Sequence, residues 1–102
     1  MLHLRRVKLG EFTFVWDPEK ARENVRKHGV SFLEAATVFR DVEALDLQDR
    51  AHHDRHVLIG HSDRARLLFT VFAEIYETLI RIISARRATP EERRDYARQH
   101  KK

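Results

Sequence analysis

Residues 79–96 read LIRIISARRATPEERRDY: a β-branched run with an arginine inside it, an arginine pair at its end, and a helix start directly behind. Ile80, Ile82 and Ile83 favour a strand. Simple alternation puts Ile80, Ile82, Ser84 and Arg86 on one face and Leu79, Arg81, Ile83, Ala85 and Arg87 on the other. Thr89, Pro90 and Glu92 then supply an N-cap, a proline at the first helical position and a reciprocal capping-box partner. Arg81 inside an apolar strand implies that its sheet face meets solvent or an anion, and a guanidinium offers planar, forked donors suited to phosphate. An anion-handling sheet surface is therefore expected.

Working back toward the N-terminus, Phe12, Phe14 and Trp16 alternate with Thr13 and Val15 as a first strand. Asp17 as N-cap and Pro18 open a helix that Gly29 closes, with Lys27 and His28 in its last turn and Ala21 and Val25 as its packing side. Ser31 and Glu34 form a second capping-box signal before a short helix with Phe32, Ala35, Ala36 and Phe39 as its buried stripe. Ala44–Leu47 reads as a brief strand and 48–55 as a polar loop. His56–His61 and Leu67–Ala73 read as strands joined by a turn at 62–65; a second turn at 74–78 leads into the Leu79–Ala85 strand. The pattern predicts an α+β fold whose antiparallel sheet is covered by helices on one face.

The chain has 102 residues and is 42% hydrophobic, enough for one domain with a modest core. Twenty basic residues against 16 acidic ones leave a formal charge of +4. The excess points to an anionic partner, nucleic acid ahead of a membrane. No run is long enough to span a bilayer, and residues 1–16 lack the apolar core of a signal peptide. The absence of cysteine excludes disulfides, thiolate nucleophiles and cysteine zinc sites, so a cytoplasmic protein is expected.

The candidate chemistry is cationic. Lys20, Asn24, Lys27 and His28 recur at helical spacing on one broad face of the first helix, either as a solvated face or as functional groups. His28 also suits a helix C-terminus electrostatically, and imidazole titrates near neutral pH. Arg81 and Arg87 are expected to share a strand face with Arg86 opposite, while Arg64 and Arg66 sit at a neighbouring turn. These arginines either pair with Glu74, Glu77, Glu91 or Glu92, or converge as an electrostatic site for a phosphate or phosphorane. His52, His53, Asp54, His56 and His61 match no fixed-spacing ligand motif, so no metal is expected there. The six phenylalanines are read as core, and Trp16 as either a core lid or a base-stacking platform.

Three blocks, WDPEKARENVRKHGVSFLEAATVFRD, HVLIGHSDRARLLFTVF and RIISARRATPEERRDY, closely resemble the BrnT family of bacterial toxins in order and spacing over about residues 12–97. Residues 1–10 fall outside as an N-terminal extension, leaving 11–102 as a single domain. The chain departs from the family in its HHDRH loop and its Glu-Ile-Tyr-Glu-Thr turn. The resemblance implies a RelE-like fold, ribonuclease activity, and a BrnA-type antitoxin with a ribbon-helix-helix DNA-binding domain through which operator DNA is bound. Carried over by motif, its signature positions here are Trp16, Asp17, Lys20, Asn24, Lys27, His28, Gly29, Arg64, Arg81, Ser84, Arg86 and Arg87. The expected activity is metal-independent RNA cleavage by 2′-hydroxyl attack, without a cofactor. Arg81 and Arg87 are assigned to transition-state charge, Lys27, Arg64, Arg66 and Arg86 to flanking phosphates, and Lys20 or His28 to proton transfer. The rival readings are a non-catalytic RNA- or ribosome-binding module and an operon co-repressor.

Overall fold

The computed structural model describes residues 3–99. Six strands and three helices follow in the order β1 Arg5–Leu9, β2 Phe12–Trp16, α1 Pro18–His28, α2 Phe32–Thr37, a 3-10 turn at Val38–Arg40, β3 Leu45–Gln48, β4 His56–His61, β5 Leu67–Tyr76, β6 Leu79–Arg87 and α3 Pro90–Arg98. They form one sheet in the order β1-β2-β6-β5-β4-β3. The architecture is α+β as expected, but the sheet is mixed: β2 and β6 run parallel through Thr13–Val15 and Leu79–Arg81, and every other neighbouring pair is antiparallel. Parallel pairing follows because the chain leaves β2 through two helices and returns to its flank only after the meander.

The helices do not share one face. Phe14, Trp16, Phe32, Ala35, Leu68, Phe72, Ile80, Ile82 and Ala85 form the main core beneath α1 and α2. Val57, Ile59 and Leu67, with Phe69, Val71 and Tyr96 against them, form a second cluster on the reverse face beneath α3. Strand alternation explains the division, since even positions of β5 feed the first cluster and odd positions the second. Tyr96 anchors α3 by donating its hydroxyl to Asp41 Oδ2 at 2.8 Å, an oxygen that also accepts the His61 N–H at 2.9 Å. Burial raises the Tyr96 pKa, and the Asp41 carboxylate adds to that rise.

The caps read from the sequence form. Asp17 accepts the Glu19 N–H at 2.9 Å, and Gly29 closes α1 in the left-handed region at φ 68. Thr89 and Glu92 complete a capping box at α3. Ser31 caps α2 through the Glu34 N–H, but the Glu34 side chain turns away to other partners. Val25, expected to pack, is exposed, and Asn24 is buried in its place. β5 runs three residues beyond the expected strand end, to Tyr76. Residues 5–9, outside the family resemblance, form an edge strand whose Val7 and Leu9 lie against the main core.

A β-bulge decides the arginine geometry. Val71 pairs with Ser84 but Phe72 pairs with Ile82, so Ile83 is an extra residue. Beyond it the alternation inverts: Ala85, opposite Thr70, joins Ile80 and Ile82 in the main core, and Arg86, opposite Phe69, faces the reverse side. Arg87 therefore lies on the main-core face and Arg81 on the reverse face. The expectation that these two share a face is overturned, because uninterrupted alternation cannot anticipate an inserted residue.

Thr70 is fully buried between the flanking strands, and its hydroxyl has no hydrogen-bond partner among the described residues. Thr70→Val keeps the shape and removes the unsatisfied group. It is expected to stabilise the fold by about 1 kcal/mol, a rise of roughly 4–8 °C in thermal midpoint. A lower midpoint in calorimetry would mean that the hydroxyl is satisfied in solution.

Candidate functional site

The N-terminus of α1, the middle of β6 and the loop before β4 meet in a cleft of about 240 Å³ lined by Asp17, Lys20, Asp54, Arg55, Ala73, Arg81, Ile82 and Ile83. Local pairing brings the three cations here. β2 ends at Trp16 and Asp17 starts the helix at once, so Lys20 emerges within the first turn. Arg81 pairs in register with Val15 and Ala73 on the reverse face. Arg55 immediately precedes β4. Among the described residues, none of Lys20, Arg55 and Arg81 forms an ion pair or a side-chain hydrogen bond. Three uncommitted cations and two carboxylates around Ala73 and Ile83 can bind a phosphodiester and move its protons.

The other expected site residues are placed differently. His28 is exposed at the far end of α1, eight residues or about 12 Å of helix axis from Lys20. Lys27 is exposed and pairs with Glu23 one turn away at 2.8 Å. Arg87 is exposed on the opposite sheet face from Arg81. Asn24 is buried: its amide donates to Ala85 O at 2.7 Å and Val30 O at 2.9 Å and accepts the Ala85 N–H at 3.2 Å. It thereby satisfies the β6 edge beyond the point where β2 stops, which is a structural task.

Two arginines are engaged by carboxylates. Arg86 makes a bidentate pair with Glu92 at 2.8 and 2.9 Å and lies 3.9 Å from the Phe69 ring centroid, joining β6 to the first turn of α3. Arg66 holds both oxygens of the buried Glu34 and donates to Gly29 O at 3.1 Å, while Ser62 donates to Glu34 Oε2 at 2.7 Å. Arg64 is mostly exposed, with one nitrogen 3.8 Å from Glu34. The hydrogen bond from Arg66 holds the Glu34 carboxyl below the usual range against the opposing effect of burial; Arg86 does the same for Glu92. The histidine segment is dispersed: His52 lies 3.7 Å from Asp49, and His56 lies 3.9 Å from Asp46 and stacks on Phe72. No group of three or more potential ligands among His, Cys, Asp and Glu converges among the described residues. Trp16 is 6% exposed and sits edge-on to Phe32, which makes it core.

Arg55 carries no functional signal in the sequence and Asp54 stands there only beside the histidines, because both sit in a polar loop. Their place in the cleft depends on the β4–β5–β6 register, for which no local pattern exists. The hub role of Glu34 was masked by its fit to a capping box.

A family model described as "Ribonuclease toxin, BrnT, of type II toxin-antitoxin system" matches residues 16–92. The crystal structure of the Brucella abortus ribonuclease toxin BrnT is similar, with 25% sequence identity and a TM-score of 0.59. The likeness covers 72% of this chain and 92% of that one. No curated protein matches significantly.

The Glu34 pair has a signed pH consequence. A carboxylate held below its ordinary 4.5 contributes stability that is present above that value and lost as pH falls through the lower folded-state pKa. Glu34→Gln is expected to destabilise the protein by about 1.5–3 kcal/mol at neutral pH. The gap from wild type should narrow as pH falls below about 4. A pH-independent gap in denaturant melts would show that the Glu34 charge is not responsible.

Proposed function

Because the chain belongs to the BrnT family of ribonuclease toxins of type II toxin–antitoxin systems, we propose that it cleaves RNA without a metal by attack of the substrate's own 2′-hydroxyl, with the Lys20–Arg55–Arg81 cleft as the reacting centre. The observation that carries this reading is the meeting of three unpaired cations and two carboxylates in one cleft. The 2′-hydroxyl loses its proton as its oxygen bonds to the adjacent phosphorus. The P–O5′ bond then breaks, leaving a 2′,3′-cyclic phosphate, and the departing 5′ oxygen takes up a proton. Charge accumulates on the non-bridging oxygens, where the guanidinium groups of Arg81 and Arg55 hold it.

Lys20 is the proton donor to the leaving oxygen, because it shares the cleft with Arg81 whereas His28 does not. One oxygen of Asp17 is committed to the Glu19 N–H, which leaves Asp54 to take the 2′-hydroxyl proton. Arg87, His28, Lys27 and Arg64 lie outside the cleft and take no part in the reacting centre. Arg66 and Arg86 maintain the fold through Glu34 and Glu92.

The partner of a type II toxin is an antitoxin. For this chain we take it to be of the BrnA type, with a ribbon-helix-helix part that carries the pair to operator DNA. Co-expression with the adjacent gene product, followed by co-purification and rescue of growth, checks the pairing; failure to bind leaves a free-standing nuclease.

Cleavage of purified RNA tests the chemistry. Arg81→Ala is expected to lower the rate by about 10²–10³ with an unchanged melting temperature, whereas Arg86→Ala should lower the melting temperature. Activity should persist in excess chelator and yield cyclic phosphate ends. Wild-type rates in Arg81→Ala, together with loss in His28→Ala or Arg87→Ala, would move the reacting centre to the other face. Loss of activity in chelator, restored by zinc or manganese, would replace the metal-independent step.

A further inference from the structure

The cationic face does not stop at Arg81. β1 and β2 form a hairpin whose two-residue loop begins with Gly10 at φ 61, where a positive φ is required. Its register sets Arg6 opposite Val15 and Lys8 opposite Thr13, while Val7 and Leu9 take the main-core face. Because Val15 also pairs with Arg81, one row crosses the reverse face as Arg6, Val15, Arg81 and Ala73. The next row runs Lys8, Thr13, Leu79 and Tyr76, and neither row contains an acidic residue.

Two interstrand steps put the Arg6 and Arg81 backbones roughly 10 Å apart. Arg6 and Lys8 are exposed, and among the described residues neither forms an ion pair or a side-chain hydrogen bond. The apolar cluster beneath α3 lies over β4 and β5, and on this half of the reverse face Val15 is buried between the Arg6 and Arg81 positions that flank it. Both cations also precede the family match, which starts at residue 16.

We propose that β1 adds a phosphate-binding subsite to the cleft, in which Arg6 and Lys8 hold the backbone of the RNA strand on the β1 side of the scissile phosphate. The inference rests on the ribonuclease reading and extends it. Single-stranded RNA is the occupant, because a row of unpaired cations on a pleated sheet tracks a strand of phosphates. The Arg6 stem can lie along the buried Val15 while its guanidinium stays in solvent, where no carboxylate holds it.

The salt dependence of binding reads the subsite directly. The probe is a labelled 2′-O-methyl RNA oligonucleotide, which lacks the attacking hydroxyl and stays intact. Each phosphate contact on a single strand contributes about 0.7 to the slope of log affinity against log salt. Arg6→Ala/Lys8→Ala is therefore expected to flatten the slope by about 1.4. Wild type should then lose about sevenfold more affinity than this variant between roughly 50 and 200 mM salt.

The charge-preserving Arg6→Lys/Lys8→Arg protein should restore the slope. Arg22→Ala/Arg26→Ala, which removes the same charge from an exposed stretch of α1, should leave the slope at its wild-type value. An unchanged slope in the β1 variant, or an equal loss in the α1 variant, overturns the subsite. Loss of antitoxin binding with an unchanged RNA slope does so too, and assigns β1 to the protein partner. Wild-type protein that cleaves RNA while the β1 variant binds normally sinks this inference alone. Wild-type protein that neither binds nor cleaves RNA sinks the ribonuclease reading with it.

Discussion

β2 stops pairing with β6 after three residues, and the remaining edge of β6 is held by a side chain. Asn24 reaches from α1 to the N–H and the carbonyl of Ala85 and donates to Val30 O as well, so one amide does for β6 what another strand would do. A buried, unpaired peptide group costs about 1–3 kcal/mol, and β6 would carry two without it. The same contact fixes how α1 lies along the strand. Lys20, one turn before Asn24, is thereby delivered to Arg81, and Lys27 and His28 are carried away toward the far end. The geometry of the cleft thus follows from a residue that touches no substrate.

The bulge at Ile83 works with that contact. It returns Ala85 to the main core, where Asn24 meets its backbone, and turns Arg86 over Phe69 and onto Glu92. Without the extra residue, Arg86 would lie on the main-core face and α3 would lose its strongest link to β6. The arginine pair at the end of the strand is therefore split between faces and between tasks. Arg86 is partly buried, forked onto Glu92 and stacked on Phe69, which suits a structural pair. Arg87 remains exposed.

Local chemistry made the elements legible. Asp17-Pro18, Gly29, Ser31 and the Thr89–Glu92 box each marked a helix boundary with a specific hydrogen bond, and period-2 alternation found β2, β4 and β6. Long-range features were not legible, because they depend on register. Nothing in LIRIISARR marks Ile83 as inserted, and without that insertion Arg81 and Arg87 read as partners. Placing α3 on the reverse face likewise required knowing that odd positions of β4 and β5 are apolar toward a second cluster. Within the cleft, Lys20 and Arg81 could be named from the sequence, whereas Arg55 and Asp54 could not.

Charge placement explains why the cleft cations stay unpaired. Fold arginines in this chain have dedicated carboxylates, Glu34 for Arg66 and Glu92 for Arg86, and the arginine hydrogen bonds hold each acid below the usual range despite its partial burial. Lys20, Arg55 and Arg81 have no such partner among the described residues, and with Asp17 and Asp54 beside them the cleft keeps an excess of positive charge. A polyanion that binds this excess stabilises the fold by mass action. On the proposed reading, RNA and an acidic protein segment laid over the cleft would compete for the same excess charge. Opposite charge speeds the encounter with either, but an acidic segment that also buries the open sheet face gains apolar contact that a phosphate strand cannot supply. If the cleft is the RNA site proposed here, the charge that suits it to RNA is also the handle by which a protein partner would silence it.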